Sequence, residues 1–209
     1  METALCCDQG RARRLLIIPA LFDESNRLRR FTAEVMRALD QQDIDSFLPD
    51  LPGTNESVAP LVDQTLTSWS EAVASSAMHF ATGKILTIRA GAAIPAALNG
   101  WAYAPLSGAA ALRHLLRARS LARREKGVAD SHDAALEQAG QAGITLAGHP
   151  IGAQLFRELA QHDSIPAKGL RIIPQGEIGG AGLWLRAEPG EDADQAAALA
   201  ALIAREWPQ

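Results

Sequence analysis

The chain has 209 residues, 47% of them hydrophobic and 21% charged, with a formal net charge of −4. That length and hydrophobic content support one buried core and one globular domain, and they exclude the composition of a disordered chain. The slightly acidic balance gives no overall electrostatic reason to approach polyanions, so neither a nucleic-acid partner nor membrane insertion is expected.

Residues 1–14 read as a flexible N-terminus. Cys6 and Cys7 are adjacent within it, which gives no disulfide framework and no CxxC spacing and fits a reducing, cytoplasmic location. The first strongly apolar run, Leu15 to Phe22, is too short for a membrane span and lacks the small-residue cleavage context of a signal peptide. Leu15 to Ile18, ending at Pro19, has the character of a buried parallel strand. Leu28, Phe31, Val35 and Leu39 then recur at helical spacing, predicting an amphipathic helix from Glu24 to Gln41. Ile44 to Leu48 is a second strand, closed by Pro49, Asp50, Pro52 and Gly53. Val62, Leu66, Trp69, Val73 and Phe80 continue the helical period up to Gly83. Ile85 to Ile88 and Trp101 to Ala104 are the third and fourth strands. Three successive strand–helix–strand units predict a parallel sheet with right-handed crossovers and helices on both faces.

The second half is less regular. Ser107 to Gly127 and Asp130 to Gln141 read as helices, Ile144 to Ala147 as a strand, and Pro150 as the first position of a helix running to Gln161. Leu170 to Ile173 and Leu183 to Leu185 read as two last strands. The Gly-rich connection between them is shorter than a parallel crossover requires, so they form an antiparallel hairpin or are not neighbours. Leu199, Leu202, Ile203 and Trp207 define a closing helix.

In an open α/β sheet, ligands gather beyond the carboxyl ends of the strands. That rule selects Asp23, Glu24 and Asn26 after the first strand, Asp50 and Asn55-Glu56-Ser57 after the second, Arg89 after the third and Ser107 after the fourth. The third strand carries most weight. A nucleophile elbow places a serine on a strained strand-to-helix turn between small residues. Here Thr87-Ile88-Arg89-Ala90-Gly91 has the small residues and apolar, helix-like sequence after them, with arginine at the nucleophile position. A guanidinium stays protonated and cannot attack a carbonyl. A triad also needs a histidine after the last strand, and none follows His162.

At this point the chain resembles a known family. Ile18-Pro19-Ala20-Leu21-Phe22-Asp23-Glu24-Ser25-Asn26-Arg27-Leu28-Arg29-Arg30 resembles the start of the exosortase-system-associated hydrolases of the second type, found with bacterial exopolysaccharide clusters. Pro49-Asp50-Leu51-Pro52-Gly53-Thr54-Asn55-Glu56-Ser57 resembles their turn after the second strand, and Arg89-Ala90-Gly91 resembles their modified elbow. Leu112 to Arg119 and Leu146-Ala147-Gly148 resemble two later stretches. The resemblance implies an α/β-hydrolase-like, mostly parallel sheet with helices on both faces. Composition and the element pattern give a single domain over 15–209, in which 107–165 is a helical, lid-like insertion before the last two strands. Leu21 and Phe22 would then form an oxyanion-like loop. Fold analogy does not by itself establish hydrolysis.

Each candidate also has a structural reading. Arg89 is either an ion-pair partner of Asp23, Glu24 or Asp50, or a binder of an anion. Asp23 and Glu24 suit the first turn of the following helix. Asn55, Glu56 and Ser57 suit a turn and helix start, and Ser107 suits an N-cap. The basic run Arg113, Arg117, Arg119, Arg123, Arg124 and Lys126 is either a solvated helix face or a docking surface for an anionic partner. The histidines have no metal-ligand spacing, and there is no GxGxxG or P-loop, so no cofactor or metal is expected. Two functions of different class remain. One is a catalytically degenerate accessory protein, linked to exopolysaccharide or exosortase systems, that binds a small anionic or acyl ligand or a protein partner. The other is an active ester or thioester hydrolase using Ser107 or Ser57.

Overall fold

A computed structural model describes residues 2–127, 131–164, 169–186 and 188–207. Asp130, expected as a helix start, and position 165, expected as the end of the insertion, lie outside them. Six strands form the main sheet: β1 (Ala4–Cys7), β2 (Arg14–Ile18), β3 (Asp45–Pro49), β4 (Lys84–Ile88), β5 (Asn99–Tyr103) and, with its intermediate numbers given below, β8 (Leu170–Ile173). Their order is β1-β3-β2-β4-β5-β8. All neighbours run parallel except β1, which pairs antiparallel with β3.

The alternation in β2 shows how the sheet serves two cores. Leu15 and Ile17 face one side, where they meet Leu28, Phe31, Val35 and Leu39 of α1 (Asp23–Asp40) and Leu199, Leu202 and Ile203 of α7 (Ala193–Glu206). Leu16 and Ile18 face the other, where Trp69 and Val73 of α2 (Leu66–His79) lie. Side chains one residue apart point to opposite faces of a strand, so a run of four apolar residues is what two covered faces require.

The segment between β5 and β8, expected as the insertion, is built from α3 (Gly108–Glu125), α4 (His132–Ala142), a small antiparallel hairpin of β6 (Ile144–Leu146) and β7 (His149–Ile151), and α5 (Ala153–Gln161). Leu112, Leu115 and Leu116 of α3 and Leu155 and Leu159 of α5 share the apolar cluster that holds Leu16, Ile18 and Ile85. The insertion therefore completes a layer of the domain. After it come β8, α6 (Gln175–Ile178), and a 3-10 turn at Leu183–Leu185 that precedes α7.

Several expectations are corrected. Ala4–Cys7, inside the segment expected as a flexible N-terminus, forms an edge strand. An edge strand with one open side needs no continuous apolar run, which is why its polar neighbourhood concealed it. Leu183–Leu185 is a 3-10 turn and not a strand, so the insertion precedes one last strand, β8, which runs parallel to β5. The connection from β4 to β5 contains only a 3-10 turn, Arg89–Ala93, because the chain meets Pro95 and the residue before a proline is kept out of helical conformation. Pro150 lies in the β6–β7 ladder, opposite Thr145, and α5 starts three residues later.

The N-terminal segment is held by a buried carboxylate. Asp45, 0% exposed, accepts hydrogen bonds from the backbone amides of Gln9 and Arg11 at 3.1 and 2.8 Å and from the guanidinium groups of Arg11 and Arg14 at 3.2 Å each. Arg14 also holds Asp8, whose carboxyl is lowered to about 2, chiefly by the hydrogen bond from Arg14. Because that value lies below the ordinary 3.8, the contribution of Asp8 is in place above pH 3.8 and is lost as pH falls through about 2.

Two predictions test this frame. Ile17, Phe47 and Ile88 are each 0% exposed, and truncation of any one to alanine should cost about 2–5 kcal/mol in urea unfolding; losses below about 0.5 kcal/mol at all three would contradict the sheet. Asp45→Ala strands two arginines beside a buried site and should cost about 3 kcal/mol. Amide exchange in β1 should rise with it, whereas unchanged protection there would show that Asp45 does not hold the strand.

Candidate functional site

The elbow expected at the end of β4 is present in backbone form. Ile88 is extended, with φ −111°, and Arg89 turns into the left-handed region at φ 52°. Such a conformation is costly for a residue with a Cβ and persists only where the surroundings enforce it. Gly91 explains part of that enforcement, since a Cβ there would lie 2.3 Å from the carbonyl oxygen of Pro19. The elbow is thus packed directly on the loop after β2.

Three elements converge on the Arg89 side chain, which is 8% exposed. Its Nε and Nη2 donate to Oε2 and Oε1 of Glu24 at 2.9 and 3.0 Å, a two-pronged pairing in the first turn of α1. Its Nη1 donates to the carbonyl oxygen of Ala104, just past β5, at 2.8 Å. Trp184, from the 3-10 turn before α7, lays its ring 4.0 Å from the guanidinium carbon. Two parallel charge-assisted bonds fix orientation as well as energy, and an aromatic face over a desolvated guanidinium adds a further attraction.

Tyr103 also meets Trp184, with ring centroids 6.1 Å apart in an edge-on arrangement. Burial raises the Tyr103 hydroxyl well above its ordinary value, opposed by the charge of Arg89 and by its hydrogen bond to Gln175. It therefore stays protonated and donates to Gln175, whose amide nitrogen reaches the buried Gln195 at 2.9 Å.

The remaining sequence candidates separate. Asp23 does not reach Arg89; its Oδ1 lies 3.1 Å from Nε2 of His149, on β7 of the insertion. Asp50 does not reach it either, and accepts from Nδ2 of Asn55 at 2.7 Å. Asn26 faces away from the elbow, into cavities on the β3 side of the loop after β2. Leu21 and Phe22 are buried and form the wall between a cavity of about 210 Å³ next to His149 and one of about 260 Å³ next to Glu24 and Trp184. Ser107 caps α3, accepting from the amide of Ala110 at 3.2 Å, and Ser57 accepts from the amides of Gly53 and Ala59 at 2.9 and 3.2 Å. Of the basic run, Arg113 and Arg117 stand exposed on α3, and Arg113 lies 4.0 Å from Asp163.

Two residues of this region were not legible in the sequence. His149 stands 126 positions from Asp23, at the start of a short strand with no ligand spacing. Trp184 sits in a segment that reads as a strand. Its only signal is a large aromatic in a stretch of glycines, which does not reveal a guanidinium partner.

No protein-family model matches the chain, and no curated protein matches it. Solved structures do resemble it. Alpha/beta hydrolase domain-containing protein 10 from mouse is 15% identical, with a TM-score of 0.50 over 84% of this chain and 72% of that one. An alpha/beta hydrolase fold protein from Burkholderia ambifaria is 15% identical, with a TM-score of 0.47 over 99% and 93%. A putative hydrolase from Agrobacterium vitis S4 is 14% identical, with a TM-score of 0.43 over 97% and 98%. At these identities the likeness is one of fold: the chain has an α/β-hydrolase-like fold, a mostly parallel six-stranded sheet covered by helices on both faces.

The Arg89–Glu24 pair makes a direct prediction. Arg89→Met leaves a mostly buried carboxylate without its partner and should cost about 3–5 kcal/mol. The double variant Arg89→Met, Glu24→Met should recover much of that loss, because the remaining charge is gone. Equal and additive losses in the double-mutant cycle would show that the two side chains are not energetically coupled.

Proposed function

We propose that this protein is a catalytically degenerate α/β-hydrolase-like accessory protein, which binds a small acyl or anionic ligand or a protein partner and performs no serine-hydrolase chemistry. The observation that carries this reading is the occupant of the elbow. Arg89 holds the left-handed position where the nucleophile of such a fold stands, and its charge is engaged by Glu24 and covered by Trp184. A guanidinium supplies no nucleophile, and one already bonded on two edges is poorly placed to grip a ligand anion. The geometry therefore favours the ion-pair role of Arg89 over the anion-binding one.

The alternative hydrolase would use Ser107 or Ser57, whose oxygens serve backbone amides as a helix cap and a turn. Activation of a serine needs a base within hydrogen-bond reach. The oriented imidazole of His149 is supported by Asp23, and it is the site's one observation in favour of proton-transfer chemistry. The context we assign, bacterial exopolysaccharide or exosortase systems, rests on the resemblance at 18–30, 49–57 and 89–91. We place the protein in the cytoplasm, where reducing conditions keep Cys6 and Cys7 as the free thiols they are here.

The purified protein should show no turnover of short-chain p-nitrophenyl esters above buffer and no labelling by a fluorophosphonate probe. Stoichiometric, heat-sensitive labelling of a single serine would overturn the degenerate reading and favour the hydrolase.

A further inference from the structure

A large cavity at the carboxyl edge does not lie over Arg89. It measures about 550 Å³ and sits beyond Pro19 and Ala20, between α1 and the β1–β3 edge of the sheet. Its floor is apolar. Leu5 and Leu48, direct cross-strand partners, face it together with Leu28 and Ala33 of α1. Leu5 is 52% exposed, an apolar side chain left in water on the wall of a concave site.

Polar groups join this floor from α1 and from the loop after β3. Ser25, Asn26 and Arg29 come from the first two turns of α1, spaced so that 25 and 29, and 26 and 29, share a helix face. Asn55 comes from the loop. Arg30 is paired with Glu191 at 2.5 Å, whereas Arg29 enters no ion pair or side-chain hydrogen bond among the described residues. Two carboxylates also reach the rim. Asp50 accepts from the neutral amide of Asn55 and keeps its charge, and Glu56 is exposed, as is Arg29, so water and salt weaken both fields alike. Of the acids in the α1 first turn, Glu24 is paired with Arg89, and Asp23 is in hydrogen-bond contact with His149. On the α1 side of the cavity, the helix N-terminus and the unpaired Arg29 guanidinium favour a negative group.

An apolar floor of this size with a few polar groups is the form of a small-molecule site. We propose that this cavity is the ligand site of the protein, and that its ligand is a medium-chain carboxylate, with the chain along Leu5, Leu48 and Ala33 and the head group at Asn26 and Arg29. This inference rests on the non-catalytic reading above and moves the binding site away from the elbow. The edge strand β1 then has a role beyond completing the sheet, since it supplies one wall.

Calorimetric titration with decanoate and with decanol, both kept below self-association, tests it. Wild type should bind decanoate saturably at one site. Ala33→Trp should weaken both probes by about tenfold or more by filling the cavity, and Leu5→Trp is the second filling variant, on an exposed position that tolerates change. Arg29→Gln should weaken decanoate by about three- to tenfold and leave decanol unchanged. Ala118→Trp, in the cavity beside Arg89, should leave both unchanged. Absence of saturable decanoate binding overturns the site, loss of binding in Ala118→Trp alone moves it to the elbow, and an unaltered Arg29→Gln overturns the head-group assignment. Labelling of a serine by the fluorophosphonate probe would break the non-catalytic reading separately, whatever the titrations give.

Discussion

A guanidinium taken out of water at the end of a central strand has to be met by negative charge, and the carboxyl edge of this sheet is arranged around that requirement. The Arg89 backbone is fixed by β4 and by the close approach of Gly91 to Pro19. Its side chain must then find acceptors within reach, and it finds them on three separate segments: Glu24 in α1, the carbonyl of Ala104 after β5, and the ring of Trp184 before α7. Each contact fixes the position of a different element. The same residue thereby becomes the point at which α1, the sheet and the C-terminal segment are held in register. A buried ion pair of this kind is weak evidence of added stability compared with an apolar replacement, but a missing partner is costly. Its value lies in specifying one arrangement.

The opposite edge of the sheet repeats the principle with the signs reversed. There the buried group is a carboxylate, Asp45, and the surrounding donors are Arg11, Arg14 and two backbone amides. The amino edge is closed by this cluster, with the side chain of Asp45 fully buried. The carboxyl edge is closed over Arg89 but keeps cavities on either side of Leu21 and Phe22. Space for a ligand remains where the loops after β2 and β3 diverge, and this divergence follows from sheet order. β2 and β3 are neighbours, yet one leads into α1 on one face and the other into α2 on the opposite face, so a crevice opens between their connections.

Most of the fold was legible because both faces of the sheet are covered. Leu15-Leu16-Ile17-Ile18 and Ile85 to Ile88 stand out as strands, and the spacing of Leu28, Phe31, Val35 and Leu39 marks α1. What failed lies where one face or one end is open. β1 borders the sheet and is half exposed, and its four apolar residues, Ala4-Leu5-Cys6-Cys7, are a short run flanked by polar ones. Leu183–Leu185 has the composition of a strand, yet Gly179 and Gly180 precede it with φ 77° and 70°, and the chain turns to bring Trp184 over Arg89. The expected helix after the elbow was cut short by Pro95. Of the site, the position of Arg89 and its need for an acid were readable from topology, whereas the choice among Asp23, Glu24 and Asp50 was not. That choice depends on helix phase: Asp23 and Glu24 are adjacent, about 100° apart around α1, so only one of them can face the elbow while the other faces the insertion.

That phase relation also connects the insertion to the site. With Glu24 committed to Arg89, Asp23 is turned toward β7 and meets His149, whose ring also packs edge-on against Phe22 at 5.5 Å. Phe22 is itself held at φ 56°, a conformation that the loop would not keep without neighbours on both sides. The first turn of α1 is thus gripped from the sheet by an arginine and from the insertion by a histidine, with Leu21 and Phe22 fixed between them. A loop held in this way cannot rearrange around a ligand at the elbow without breaking one of the two contacts. The crevice beyond Pro19 and Ala20 is lined by residues outside both contacts, so a ligand bound there as proposed would leave the elbow closed.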